Sequence, residues 1–366
     1  MQRTHNLLPS GFTDLLPPYA WKERRLRSLI ADSFRQFGYE EISPPLVEFE
    51  SSVIDKAELE KQTFRLLDAK SQRMMGIRAD MTPQIARIAA SRMQDAPLPL
   101  RLCYSGTCLR VQGEGLDKLR QVVQAGIEYI GVQDDTALIE ILRCTQEALM
   151  KVGINDISLD ITLPNLVDEL LKEIPKQHHS ALTTAIEQKD QATIKSINHP
   201  LCAHMLTLMD GVTLEQIKPL LPKLPADTAM WLQRVELIQQ QLPDLTLTLD
   251  PLEKSGFGYY DGIGFSLFSA TLGGEIGYGG RYIAHDDLPA YGLTLYLNPL
   301  IRSSKIEDSP SRCLVLPTAN ESLARDLREK GWHTIYSQAK SADAASAEAH
   351  QFNCSHILEK DEINNV

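Results

Sequence analysis

Chemistry in this sequence starts where complementary side chains recur at even spacing. In "LRQVVQAGIEYIG" a cation, an amide and a carboxylate, Arg120, Gln124 and Glu128, stand four residues apart. Successive side chains of a β-strand point to opposite faces, so these three share one face while Val123, Ala125, Ile127 and Tyr129 share the other. The odd-numbered face reads as core. The even-numbered face is interrupted only by Val122 and by Gly126, whose missing side chain leaves space. Arg110, on the strand pattern just before, lies nearby if the two strands pair. A second stretch, "KSGFGYYDG" from Lys254 to Gly262, has the composition of a pocket rim, with glycines that admit a close approach and the adjacent tyrosines Tyr259 and Tyr260. One reading of the polar row is a solvated sheet face, because antiparallel sheets commonly keep one side wet. The other is an enclosed face, where guanidinium and carboxylate groups need partners and a zwitterion such as an amino acid supplies complementary ones.

The surrounding elements must place these groups. Pro17-Pro18 opens a segment in which Leu26, Leu29, Ile30, Phe34 and Phe37 recur at helical spacing, with Gly38 where a C-cap glycine would stand. Thr82-Pro83 reads as an N-cap followed by proline at the first helical position, with Ile85, Ile88 and Ala89 on one face. Between about 99 and 131 the period changes to two, and "PLRLCYSG", "TCLRVQG" and "LRQVVQAGIEYIG" read as consecutive strands separated by glycine-bearing turns, hence an antiparallel sheet. A helix is expected from Asp134 to Lys151, closed by Gly153, and "DISLDIT" alternates as a strand. From about 163 to 245 short apolar helical segments alternate with prolines, an all-helical insertion. Strand patterning returns in "TLTLD", "YYDGIGFSLFSATL" and "YGLTLYL", so distant residues complete the sheet. After Arg302 the polar "KIEDSPS" reads as a linker to a βαβαβ module. The expectation is an α+β chain with one domain over 1–302 and a short α/β C-terminal module over 303–366.

Composition narrows the function classes. The chain has 366 residues, 43% hydrophobic and 23% charged, ordinary values for a globular protein of more than one domain. Its net charge of −11 provides no global field for a polyanion, so no nucleic acid partner is expected. Six scattered cysteines without a CxxC pair suit reduced thiols and a cytoplasmic location, Cys103 and Cys108 reading as packed thiols that flank a turn. No long apolar run points to a membrane. His199, Cys202 and His204 in "HPLCAH" have metal-compatible spacing but no second ligand pair, so neither metal nor cofactor is expected. Gly273-Gly274 and Gly279-Gly280 follow no phosphate-loop pattern and read as close packing within the sheet.

Five ordered motifs over roughly residues 5 to 300 resemble the class II histidyl-tRNA synthetase catalytic domain. "GYEEISPPLVEF" looks like motif 1. "TCLRVQGEGLDKLRQVVQAGIEYIG" looks like motif 2, with Arg110 as its arginine and Gln124 and Glu128 as its glutamine–glutamate pair. "RADMTPQIAR" is similar to the family's R-P-E-x-T segment, with Asp80 for glutamate. "KSGFGYYDG" and "GYGGRY" resemble the two histidine signatures. The resemblance implies a class II synthetase-like antiparallel sheet flanked by helices and a two-fold dimer. It also implies a histidine-like ligand site made by Asp80, Met81, Thr82, Arg110, Gln124, Glu128, Tyr259 and Tyr260. Asp80 and Thr82 would meet the amino end, Arg110 and Gln124 the carboxylate, and Glu128 with the two tyrosines the imidazole.

Departures from that pattern concern the nucleotide. Ser255 stands where the signature arginine is expected, and Leu297 where motif 3 would carry an arginine on ATP. Losing one preorganised donor to developing phosphate charge costs on the order of 10²–10³ in rate, so two such losses argue against efficient aminoacylation. The terminal module resembles a shortened anticodon-binding domain. As a whole the chain is most similar to the ATP phosphoribosyltransferase regulatory subunit family. That likeness implies a non-catalytic partner of a short-form catalytic subunit, acting in the first step of histidine biosynthesis and in feedback by free L-histidine. An atypical histidyl-tRNA synthetase and a synthetase-like amino-acid or tRNA sensor remain alternatives, as does a polar cluster retained only for folding.

Overall fold

The computed structural model describes residues 7–50, 57–114, 118–132, 136–253, 260–284, 287–307 and 310–366. Asp134, Ser255 and Tyr259 lie outside them. Helix α1 (Tyr19–Gln36) forms because Leu26, Ile30 and Phe34 make one fully buried stripe, and it stops where Gly38 adopts φ +84°. Strand β1 (Glu40–Glu41) follows. Strands β2 (Val47–Phe49), β3 (Phe64–Leu67) and β4 (Met74–Ile77), with helix α2 (Ala57–Gln62) between β2 and β3, make a small antiparallel sheet in the order β2-β4-β3. Helix α3 (Thr82–Arg92) begins one residue earlier than expected. Met81 rather than Thr82 is its N-cap residue, and the Thr82 N–H donates to Asp80 Oδ1 at 2.9 Å.

Strand β5 (Leu100–Glu114) corrects the sequence reading. It runs unbroken for 15 residues where two strands and a turn at Gly106 were expected. Gly106 is there for approach rather than for turning, since a Cβ on it would stand 2.4 Å from Arg78 Nη2. Arg78 crosses at that point to donate to the carbonyls of Thr107 and Pro44 at 2.8 and 2.9 Å. Cys103 and Cys108 are therefore on one strand and flank no turn; both are buried and free.

Strand β6 (Leu119–Ile130) pairs antiparallel with β5, placing Gly106 opposite Gln124, Tyr104 opposite Gly126 and Leu102 opposite Glu128. Helix α4 (Thr136–Lys151) and strand β7 (Ile157–Thr162) lead into the insertion, whose helices are α5 (Pro164–Lys172), α6 (His179–Glu187), α7 (Gln191–Ser196), α8 (Pro200–Leu208), α9 (Leu214–Ile217) and α10 (Ala226–Gln241). His199 caps α8 by accepting the Leu201 N–H at Nδ1. Strands β8 (Thr246–Leu249), β9 (Tyr260–Ser269), β10 (Gly274–Ile283) and β11 (Pro289–Tyr296) complete an eight-stranded sheet ordered β1-β5-β6-β11-β10-β9-β7-β8, and helix α11 (Leu297–Ser303) follows.

The sheet is mixed rather than wholly antiparallel. Its interior pairs are antiparallel, but β1 joins β5 and β7 joins β8 in parallel. Parallel neighbours need a long crossover, and the helical insertion is the crossover between β7 and β8. One face of the sheet packs Val123, Ala125, Ile127 and Leu293 against α1, α4 and the insertion. The other carries Leu100, Leu102, Ile130 and Ala290 under Ile85 and Ala89 of α3. Both faces are thus covered, and the polar row is not solvated.

The chain divides into two compact units, Met1–Ile306 and Glu307–Val366. In the second, strands β12 (Arg312–Val315), β13 (His333–Tyr336), β14 (His356–Glu359) and β15 (Glu362–Asn365) order as β13-β12-β14-β15, with β15 antiparallel and the other pairs parallel. Helices α12 (Glu321–Glu329) and α13 (Ala342–Gln351) bury Leu327 and Ala349 on its two faces. Among the described residues no helix is long and apolar enough to cross a membrane.

The insertion docks on β9 through Trp231. At Gly262, which has φ +90°, a Cβ would lie 1.8 Å from the indole. Gly262→Ala therefore combines backbone strain with displacement of Trp231. It should cost more than the roughly 1–3 kcal/mol of strain alone, read as a lower urea midpoint at unchanged slope.

Candidate ligand site in the sheet

The cross-strand rows of the α3-covered face set large polar side chains beside glycines. In one row Glu128 pairs with Gly292, which pairs with Gly280, which pairs with Gly264. A Cβ on Gly292 would stand 2.0 Å from Glu128 Oε2, so the carboxyl lies flat across bare backbone. Tyr260 does the same from the other end, its ring atoms 3.3 Å from a Cβ on Gly264 and 2.8 Å from one on Gly280. In the next row Tyr104 covers Gly126, its hydroxyl 2.4 Å from where a Cβ would be. The space that Gly126 was expected to leave is filled by this phenol.

Hydrogen bonds knit the rows together. Gln124 Nε2 donates to Asp80 Oδ2 at 3.1 Å, while Gln124 Oε1 accepts the Met81 N–H at 3.2 Å and the Cys108 thiol at 3.1 Å. Tyr278 donates to Asp80 Oδ2. Tyr282 donates to Glu128 Oε2 at 2.9 Å, and the Tyr104, Thr82 and Thr294 hydroxyls form a cluster beside Glu128 Oε1 with separations of 2.8–3.5 Å. Asp80 is 4% exposed, and Gln124 and Glu128 are 0% exposed. Such polar groups persist in an interior only because each finds a partner.

Electrostatics sets the Glu128 carboxyl apart from an ordinary one. Burial pushes the Glu128 carboxyl up to about 8; the hydroxyls of Thr82, Tyr282 and Tyr104 pull it back in part, and the charge of Asp80 pushes it further up. Burial raises the Cys108 thiol to about 12 and the Tyr104 and Tyr282 phenols well above their usual range. The site can therefore present a neutral carboxyl at Glu128, while the Asp80 side chain lies 3.8 Å from the Arg110 guanidinium.

Of the residues expected from the sequence, Asp80, Met81, Thr82, Arg110, Gln124 and Glu128 come together, and Tyr260 adjoins them over the glycine floor. Tyr259 lies outside the described residues. Arg120 does not join the row. Its guanidinium is stacked between Phe12 and Phe64, at 5.1 and 4.8 Å from their ring centres, with Nε donating to the Arg110 carbonyl. Leu297 is in the hydrophobic core. Sequence reasoning did not assign Tyr104, Cys108, Tyr278, Tyr282, Thr294 or Tyr296. All six hold even positions on the strands that carry the site, so strand parity is the signal that could have found them once the register was known.

The architecture and its buried polar centre define a class II synthetase-like domain. The family profile described as histidyl-tRNA synthetase matches residues 11–300. A solved ATP phosphoribosyltransferase regulatory subunit/histidyl-tRNA synthetase of Bacillus halodurans superposes with a TM-score of 0.82 at 23% identity, covering 98% of this chain and 99% of that one. Histidyl-tRNA synthetase of Nostoc superposes with a TM-score of 0.78 at 18% identity over 96% of this chain and 90% of that one. In sequence the chain is 39% identical to the ATP phosphoribosyltransferase regulatory subunit of Paramagnetospirillum magneticum, over 98% of this chain and 97% of that protein. It is 37% identical to that of Gluconobacter oxydans, over 96% and 95%. The chain belongs to the ATP phosphoribosyltransferase regulatory subunit family, on a histidyl-tRNA synthetase fold.

The raised Glu128 carboxyl makes stability depend on pH in a defined direction. The folded state holds this proton more tightly than the unfolded chain. The contribution is therefore complete below the ordinary carboxyl range near 4.5 and is lost as pH rises through about 8. The melting temperature should fall across that window, and Glu128→Gln, which cannot ionise, should flatten the fall in scanning calorimetry.

Proposed function

We propose that this chain is a non-catalytic regulatory subunit of an ATP phosphoribosyltransferase complex, needed for the first step of histidine biosynthesis and for its feedback by histidine. Near full-length likeness to relatives of that name supports the role in the complex. A short-form catalytic partner, self-association as a dimer and a cytoplasmic location belong to the same reading. Free L-histidine would occupy the site in the sheet. Its ammonium group would meet Asp80 and Thr82, and its imidazole would meet Glu128 and Tyr260, with Tyr259 on the same side. Gln124 would face the carboxylate, and Arg110 would contribute positive potential there.

The observation that carries the reading is how Arg110 is held. It is 3% exposed, donates from Nε to the Ala79 carbonyl at 3.3 Å and from Nη2 to the Tyr296 hydroxyl at 3.1 Å, and lies beside Asp80. Ser255 and Leu297 stand at two positions where arginines were expected, and the motif 2 arginine, Arg110, is tied to internal partners. Adenylation needs preorganised donors aimed at phosphate. This site instead keeps complementary groups for a zwitterion.

Feedback requires that histidine bind two states of the complex with different affinity, a coupling typically of about 1–3 kcal/mol. Phosphoribosyltransferase rates would be measured for the catalytic partner alone, with this chain, and with this chain plus histidine. The expected outcome is activation by the chain and inhibition by histidine, with Glu128→Gln weakening histidine binding at least about tenfold, or about 1.4 kcal/mol, in calorimetry. Absence of histidine heat from both the chain and the complex would remove the ligand reading. Histidine-dependent exchange of pyrophosphate into ATP would favour a synthetase instead.

A further inference from the structure

The contact that binds Arg110 has a second participant with a role of its own. Tyr296 is the last residue of β11, directly across from Gln124 and immediately before Leu297, whose full burial starts α11. Its backbone is thereby fixed at the junction of strand and helix. Its ring lies 5.5 Å from that of Tyr278, tilted by 45°, and the Arg110 guanidinium carbon is 5.4 Å from the ring centre. Its hydroxyl accepts from Arg110 Nη2 at 3.1 Å, the position an oxyanion would take on that guanidinium.

We propose that Tyr296 is a built-in stopper: its hydroxyl and ring occupy the oxyanion position on Arg110, so the pocket refuses ligands that need a phosphate seated there. A guanidinium prefers a charged oxygen to a neutral hydroxyl because charge-assisted hydrogen bonds are the stronger ones. A neutral acceptor keeps the place only when packing fixes it, as Tyr278 and the β11–α11 junction do here. Asp80, 3.8 Å from Arg110, adds a second barrier by opposing any further negative charge at that point. A single carboxylate can feel the potential of Arg110 from the side of Gln124 without entering, whereas a polyphosphate needs direct contact. The inference deepens the ligand reading above and rests on this site being a binding pocket.

The test is calorimetric titration of the full chain with inorganic pyrophosphate, and separately with histidine. The proteins are the unaltered chain, Tyr296→Leu, Tyr296→Ala, and Tyr296→Ala combined with Arg110→Met. Pyrophosphate should bind Tyr296→Ala at least tenfold more tightly than the unaltered chain, and the gain should vanish with Arg110→Met. Equal binding by the unaltered chain, a folded Tyr296→Ala that gains nothing, or a gain that survives Arg110→Met would each overturn the stopper. Should Tyr296→Ala fail to fold, Tyr296→Leu, which also removes the ring and hydroxyl, decides: a gain in pyrophosphate binding supports the stopper and no gain overturns it. Histidine heat without any pyrophosphate gain sinks the stopper alone. A pyrophosphate gain without histidine heat in any of the proteins sinks the histidine reading alone.

Discussion

A carboxyl group laid across bare backbone is the constraint on which this molecule depends. Glu128 occupies the centre of an eight-stranded sheet covered on both faces, where an uncompensated polar group would cost several kcal/mol. It is tolerated because Gly292 and Gly280 leave its row open, because Tyr282, Tyr104 and Thr82 direct hydroxyls at it, and because its proton is retained into the neutral range. Each of these conditions draws on a different strand or on the start of α3. The polar centre therefore requires the register of β5, β6, β10 and β11 to be correct simultaneously.

The same economy of partners governs the arginines around the polar centre. Arg120 is removed from the pocket by Phe12 and Phe64, and Arg110 is turned toward Ala79, Tyr296 and Asp80. Both arginines survive, but groups of the chain itself engage their donors. What remains at the centre is one carboxyl raised by burial, Glu128, and one beside a guanidinium, Asp80.

The insertion contributes rigidity at a distance. It is the crossover that sets β8 parallel to β7, and Trp231 presses it onto Gly262 next to Tyr260, the residue that covers the glycine floor. The packing of a helical segment far away in sequence thus bears on one side of the buried polar centre. The second compact unit has two small cores of its own, one on each face of a sheet whose pairs are parallel except β14–β15.

Much of this was legible in one dimension. The stripe of Leu26, Ile30 and Phe34, the helix after Asp80, the period-two alternation of β6 and the helical insertion all follow from local periodicity, which a strand or helix expresses in its own residues. The shared face of Gln124 and Glu128 follows from strand parity, whereas its burial, left open between a solvated and an enclosed face, is decided by the elements that cover it. Sequence reasoning failed where a residue's role is set by a neighbour from elsewhere. Gly106 looked like a turn because Arg78, which needs its missing side chain, is 28 positions away. Gly126 looked like open space because the phenol that fills it comes from the adjacent strand, and Arg120 looked like part of the row because its aromatic clamp comes from two distant segments. Alternation along a strand is encoded residue by residue; which strand lies alongside, in what register and with which side chain crossing to meet it, is decided only when the whole sheet has closed.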